Sequence, residues 1–254
     1  MKRVIVGITG ATGTIYGVRL MELMKADPEI EIHLVMSRSA KLTLKMEHDL
    51  ELDYINSLAD EVHEPGNIGA SISSGSFHSE GMIIAPCSIK TMSNIAAGNT
   101  GDLISRAADV ILKERRTLIV AIRETPLHIG HLENLTKLAR IGAVIFPPVP
   151  AFYNRPASLQ DIVDQSCMRM LDQLHIHLES APRWGEEGGV PAVGQNLQDH
   201  YQVSSINGLK DNLGANLALG SLPRMPFTGL NYLLRRKGWM TFAAAQVGIF
   251  TKSQ

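Results

Sequence analysis

The stretch Arg3-Val-Ile-Val-Gly-Ile-Thr-Gly-Ala-Thr-Gly-Thr-Ile-Tyr-Gly17 constrains this chain more than any other. Five of the six residues from Val4 to Thr9 are apolar or Gly, the pattern of a short strand buried on both faces of a parallel sheet. Gly7, Gly10, Gly13 and Gly17 punctuate the run, with Thr9, Thr12 and Thr14 between them. Val18-Arg-Leu-Met-Glu-Leu-Met24 then has helical apolar spacing. A strand, a Gly/Thr loop and a helix N-terminus make a ready anion site, usually for phosphate. The same pattern also serves a tight turn that binds nothing. The glycine spacing is neither that of the dinucleotide fingerprint nor that of a P-loop, which needs Gly-Lys-Ser/Thr. The following strand, Glu31-Ile-His-Leu-Val-Met36, ends in Ser37-Arg38-Ser39. A NAD site wants Asp or Glu there for the ribose hydroxyls. Hydroxyls and a cation favour a mononucleotide phosphate instead, with the 2′-phosphate of NADP as the weaker option.

Composition narrows the class. The chain has 254 residues, 44% hydrophobic and 19% charged, with a formal charge of −1. That fits one main globular domain with a full core, and it gives no reason to expect nucleic acid or an anionic membrane as partner. With two cysteines, Cys87 and Cys167, no disulfide framework is implied and a cytoplasmic location is expected. Met-Lys-Arg followed by an apolar run mimics a signal peptide, but the run breaks into glycines at once. No stretch approaches the roughly 18 uncharged apolar residues of a membrane span.

Taken in order, Ala40 to His48 reads as a helix with Glu47 late in it, and residues 49–68 read as polar and irregular, with a turn at Pro65-Gly66. Ser71-Ile-Ser-Ser-Gly-Ser-Phe77 is a run of small hydroxyl residues. Gly81-Met-Ile-Ile-Ala85 is another buried strand, ending in Pro86-Cys-Ser-Ile-Lys-Thr91 and a helix from Met92 to Ala97. Cys87 has no evident base beside it and reads as a small buried residue. An amphipathic helix carrying Arg106 and Lys113 on one face precedes the strand Leu118-Ile-Val-Ala-Ile122. That strand ends in Arg123-Glu124. Arg binds phosphate bidentately, and an adjacent carboxyl handles a proton, although a structural ion pair is the plainer reading of such charges. A helix spans Ile129 to Arg140; His128 and His131 beside it lack a third ligand at metal spacing and read as surface or capping groups. Gly142-Ala-Val-Ile-Phe146 is the fifth strand, followed by the aromatic loop Phe152-Tyr-Asn154 and a helix N-capped by Ser158 that carries Arg169. Five strand–helix alternations from residue 3 to about 177 predict an α/β, doubly wound Rossmann-like parallel sheet. No Asp-rich pair for a magnesium-bound diphosphate occurs, so any phosphate is to be held by Arg and Lys.

Gly10-Ala-Thr-Gly-Thr-Ile-Tyr-Gly17, Ser74-Gly-Ser-Phe77, Ala85-Pro-Cys-Ser-Ile-Lys-Thr91, Ser105 to Arg116, Arg123-Glu-Thr-Pro-Leu127, His131-Leu-Glu-Asn134, Pro150-Ala-Phe-Tyr153 and Pro182-Arg-Trp-Gly185 together resemble the signature blocks of UbiX-type flavin prenyltransferases. The resemblance runs over residues 1 to about 187. It implies a flavoprotein-type fold, FMN as bound flavin and acceptor, and dimethylallyl phosphate as donor of a group joined to N5 and C6 of reduced FMN. It implies no metal, a UbiD-type decarboxylase as recipient of the prenylated FMN, and a homo-oligomer, usually a dodecamer with sites at subunit contacts. Carried over to this sequence, Gly10, Ala11, Thr12, Ser37, Ser88, Lys90, Thr91 and Arg123 contact FMN. Tyr153 and Arg169 hold the dimethylallyl phosphate, Lys113 and Glu124 lie near its phosphate, and Glu47 is a nearby proton-handling group. One departure stands out: the family usually has Ser where Thr12 stands. Two other readings share the resemblance: an FMN-dependent cysteine-type decarboxylase of the same fold, and a flavin-binding protein disabled by its tail.

The tail changes character at about Gly188. Val190-Pro-Ala-Val-Gly-Gln-Asn-Leu-Gln-Asp-His200 and Thr228-Gly-Leu-Asn-Tyr-Leu-Leu-Arg-Arg-Lys-Gly238 resemble an internal stretch of GMC oxidoreductases. That family's dinucleotide fingerprint and its catalytic histidine region are missing, so residues 188–254 are expected to be an appendage without activity.

Overall fold

The structure, a computed structural model, describes residues 1–178; the expectations for Pro182 to Gly185 and for residues 188–254 fall outside them. In chain order the elements are β1 (Lys2–Ile8), α1 (Ile15–Lys25), β2 (Ile30–Met36), α2 (Arg38–Glu47), α3 (Leu52–Leu58), β3 (Glu61–His63), β4 (Gly81–Cys87), α4 (Ile89–Ala97), α5 (Leu103–Lys113), β5 (Thr117–Ile122), α6 (Ile129–Arg140), β6 (Val144–Ile145) and α7 (Leu159–Asp172), with 3-10 turns at Ser71–Ser73 and Phe152–Asn154. The strands form one six-stranded sheet in the order β3-β2-β1-β4-β5-β6, every described pair parallel. The doubly wound expectation holds, with one correction. Residues 49–68, expected to be irregular, supply α3 and the edge strand β3. Three residues are too few for strand alternation to show in a sequence.

Period-two alternation sorts the strands between two layers. Val4, Val6 and Ile8 of β1 face α1 and α7, in a core with Leu20, Met21, Met24, Met170 and Leu171. Ile5 faces the other way, in a core with Met82 and Ile84 of β4, Met92 and Ile95 of α4, and Ile104 and Ile111 of α5. Arg19 of α1 grips Asp164 of α7 through two N–H···O bonds of 2.7 and 3.0 Å, which ties the helices of the first layer together. Ser37, Ser88, Asp102 and Ser158 cap α2, α4, α5 and α7, the last through a full capping box.

The strand order reverses between β2-β1 and β4-β5, which makes the β1/β4 boundary the switch point where doubly wound sheets take ligands. α1 crosses this boundary tightly. A Cβ on Gly17 would lie 2.4 Å from the carbonyl oxygen of Ala85. Gly17→Ala gains up to about 1 kcal/mol of helix propensity, yet the forced shift against backbone costs about 1–3 kcal/mol. The expected outcome is a lower thermal midpoint; a raised midpoint in a circular-dichroism melt contradicts this packing.

Candidate active site

Parallel strands all end at one edge of their sheet. That edge carries the loops after β1 (Thr9–Thr14), β2 (Ser37), β4 (Ser88–Thr91) and β5 (Arg123–Glu124). Buried Thr9 joins two of them across the switch point. Its hydroxyl donates to the Pro86 carbonyl at 2.8 Å and accepts the Ser88 N–H at 2.7 Å. The sequence marks Thr9 only as a lone hydroxyl ending an apolar strand, which does not reveal this task.

Glu47, the last residue of α2, reaches into the first loop. Its carboxylate accepts the Gly13 N–H at 3.0 Å, the Thr14 N–H at 3.0 Å and the Thr14 hydroxyl at 2.9 Å. Partial burial opposes its ionisation. Bonds from the Thr12 side chain and from Gly13 and Thr14 outweigh that cost and hold the carboxyl below the usual carboxylate range. One expectation changes. The amides at the start of α1, read from the sequence as the anion site, already serve this internal anion, which satisfies orphan donors and complements the helix dipole. The same bonds let Glu47 hold the first loop in place. Thr12 keeps the hydroxyl of the usual Ser and turns it to Glu47.

The remaining anion-binding capacity lies at α2 and α4. Ser37 accepts the Ala40 N–H at 3.1 Å, and Ser88 accepts the Thr91 N–H at 3.3 Å while its hydroxyl bonds Thr91 Oγ1 at 3.1 Å. Lys90 is exposed in the first turn of α4. Arg123 extends back over the first loop, with Nε 3.4 Å from the Thr12 carbonyl and its guanidinium 5.8 Å from the Tyr16 ring centre. Gly13, at φ 90°, has only 3.2 Å between a would-be Cβ and Arg123 Nε, so both backbone and space demand glycine. Gly10 and Ala11 lie half-buried beside α2, where a Cβ on Gly10 would meet Ser39 at 2.3 Å. Two capped helix N-termini, a Lys and an Arg around close-approaching glycines fit a flavin mononucleotide: a phosphate dianion with a polar ribityl chain. Cys87 at this edge is fully buried and its thiol is pushed up to about 12 by desolvation, so it is no nucleophile.

Not every predicted residue converges. Glu124 is exposed beside Arg123 and accepts the Thr125 N–H at 3.1 Å. Lys113 ends α5, before β5 begins, and pairs with Glu114 over the Gly75 loop. Six residues of β5 separate the two edges by roughly 20 Å, so Lys113 and Glu124 of one chain do not meet, contrary to the expectation that both flank one phosphate. Tyr153 sits exposed in the turn after β6, and Arg169, exposed in the last turn of α7, pairs with Asp172 at 3.0 Å. His128 caps α6 by accepting the Gly130 N–H at 3.1 Å, as its position implied.

The Flavoprotein family model matches residues 1–171. Flavin prenyltransferase UbiX of Escherichia coli (strain K12) is 57% identical over 178 residues, which cover 70% of this chain and 94% of that protein. The chain belongs to the UbiX flavin prenyltransferase family of flavoproteins, which are transferases. The crystal structure of AnUbiX (PadA1) in complex with FMN and dimethylallyl pyrophosphate superposes with a TM-score of 0.71 at 46% identity, over 73% of this chain and 98% of that one. The dodecameric FMN-dependent UbiX-like decarboxylase from Escherichia coli O157:H7 gives the same TM-score of 0.71 and 46% identity, over 72% of this chain and 100% of that one. Membership of this family sets aside the cysteine-type decarboxylase reading.

Glu47→Gln removes the charge that holds the first loop. We expect a loss of about 1–2 kcal/mol at neutral pH, the scale of a lost cap with charged hydrogen bonds. Because the folded-state pKa is depressed, this contribution is full above the unfolded-state value and is lost as pH falls through the folded one. The gap between wild type and variant should narrow as pH falls below the ordinary carboxylate range. Thermal melts across pH check it; a gap that widens on acidification contradicts the assignment.

Proposed function

We propose that this chain joins the dimethylallyl group of dimethylallyl phosphate to N5 and C6 of reduced FMN and releases inorganic phosphate, giving prenylated FMN for a UbiD-type decarboxylase. The observation that carries the reading is the meeting of the Ser37 and Ser88 helix caps with Arg123 and Glu124 at the switch-point edge, in a chain 57% identical to a named flavin prenyltransferase. Gly10, Ala11, Thr12, Ser37, Ser88, Lys90, Thr91 and Arg123 hold the FMN. Reduced flavin supplies the electron-rich N5 and C6 positions.

The protein's own task is to part phosphate from an allylic carbon. Breaking that C–O bond leaves the electron pair on the phosphate, and fixed cations stabilise the charge that develops. Lys113, Tyr153 and Arg169 are the residues for this. In one chain Lys113 stands at the opposite edge from Glu124, so we assign it to the site from a neighbouring copy, as in an assembly like the dodecameric relative, with the exposed Tyr153 and Arg169 offered at the same contacts. Large exposed apolar side chains fit such contacts, among them Met46 at 87%, Phe152 at 73% and Leu159 at 82% exposure. Glu124 delivers a proton to the departing phosphate. Glu47 positions the loop that carries Thr12. No metal takes part, and residues 188–254 add no chemistry.

No helix among the described residues is long and apolar enough to cross a membrane. Cys87 and Cys167 are free and buried, which suits a reducing cytoplasm.

Anaerobic incubation with reduced FMN and dimethylallyl phosphate, followed by mass analysis of the released flavin, tests the reading. A flavin heavier by one five-carbon unit is expected; bound but unmodified FMN overturns it. Glu124→Gln should slow single-turnover prenylation by about 10²–10⁴-fold while FMN affinity, read by fluorescence titration, stays within twofold of wild type, roughly. An undiminished rate removes Glu124 from the mechanism.

A further inference from the structure

Away from the flavin loops, β2 and the edge strand β3 bring together a second set of reactive groups. Among the described residues, His33, Glu61 and His63 form the one cluster whose metal-ligating atoms all lie within 4.8 Å of one another. His33 Nδ1 is 3.0 Å from His63 Nε2 and 3.3 Å from Glu61 Oε2. His33 and His63 are almost fully buried, and the Glu61 side chain is about half exposed, at 52%.

The surroundings ready these atoms to bind. His33 Nε2 lies 2.9 Å from Glu31 Oε1, while Arg3 holds the other Glu31 oxygen at 2.9 Å and keeps that carboxyl below its ordinary range. A carboxylate ion-paired with Arg3 only accepts, so His33 carries its proton on Nε2 and its Nδ1 accepts from His63 Nε2–H at 3.0 Å; shifting the His63 proton to Nδ1, 3.5 Å from Glu61 Oε1, frees both facing nitrogens for an ion. Phe77 packs its ring edge-on to His33 with centroids 4.8 Å apart, which fixes the imidazole plane. Arg3 neutralises Glu31 and Lys25 pairs with the neighbouring Asp60, which leaves the Glu61 carboxylate as the charge facing both imidazoles.

Tetrahedral zinc with Zn–N bonds near 2.0–2.1 Å sets its ligand atoms about 3.3 Å apart. The His33–Glu61 spacing already matches this, and the two histidine nitrogens need to part by only about 0.3 Å. We propose that His33 Nδ1, His63 Nε2 and Glu61 form a binding site for a zinc-type divalent ion, with Glu31 as the outer carboxylate that orients His33. Glu61 leaves one side open to solvent for a fourth ligand. The ion clips the three-residue strand β3 to the sheet and is separate from prenyl transfer: none of the flavin-loop residues belongs to the site.

The test uses the full chain, stripped with chelator in phosphate-free buffer. Cobalt(II) is titrated first, followed by displacement with zinc(II). The site predicts one ion per chain, visible cobalt d–d bands, and a rise in thermal midpoint of roughly 5 °C at saturating zinc. Glu61→Gln, an exposed change, should weaken binding at least ~10-fold, and His63→Gln should abolish the cobalt bands. No uptake below about 1 mM, far weaker than zinc held by three protein ligands, overturns the proposal. So does uptake that both variants leave unchanged, which would place the ion elsewhere, for example at the close pair His128 and His131.

Discussion

A parallel sheet with crossover helices has two chemically different edges. Strands finish and helices begin at one; helices finish and strands begin at the other. Here the first edge gathers Ser37, Ser88, Thr91, Arg123 and Glu124 together with the amides of three helix N-termini. Lys113, at the last turn of α5, is bound by the same rule to the other edge. In the proposed reading, the topology therefore builds a flavin cradle within one chain and withholds from it a cation assigned to the departing phosphate. The assembly proposed above would resolve the conflict and give a reason for the apolar side chains that remain outside the core.

Within the cradle, Glu47 and Thr9 do the shaping. Thr9 stitches the β1 and β4 loops together across the switch point. Glu47 neutralises the α1 terminus from within, which on the proposed reading leaves a ligand phosphate to the serine-capped helices beside it. With an internal carboxylate at one helix N-terminus, the cationic groups Lys90 and Arg123 stay available for the flavin in the proposed reading. It also explains how Thr12 is accommodated: the hydroxyl has a partner inside the protein.

Much of this is legible in the sequence. Buried strands such as Val4 to Ile8 and Gly81 to Ala85 announce themselves by continuous apolar runs between glycines, and Ser158 or Ser88 announce a helix start by a local rule. The signature blocks name the proposed cradle residues one by one. What stays hidden depends on distance through space. β3 is three residues long, and its partners His33 and His63 are thirty residues apart in the chain. The Glu47 contact spans thirty-four residues, so from the sequence its carboxylate reads as a free acid rather than a cap. Lys113 and Glu124 are eleven residues apart and look adjacent, until the length of β5 puts them at opposite edges.

The most direct test of the split site mixes two crippled chains. Lys113→Ala and Glu124→Gln each disable prenylation at every site of their own oligomer. Co-refolded in equal amounts, they form mixed oligomers in which some sites draw an intact Glu124 from one copy and an intact Lys113 from another. Random mixing predicts recovery of roughly one quarter of wild-type activity, since each of two residues is intact in half of the chains. Activity that stays at the mean of the two separate variants would mean that a single chain supplies both residues, and that no site is shared between copies.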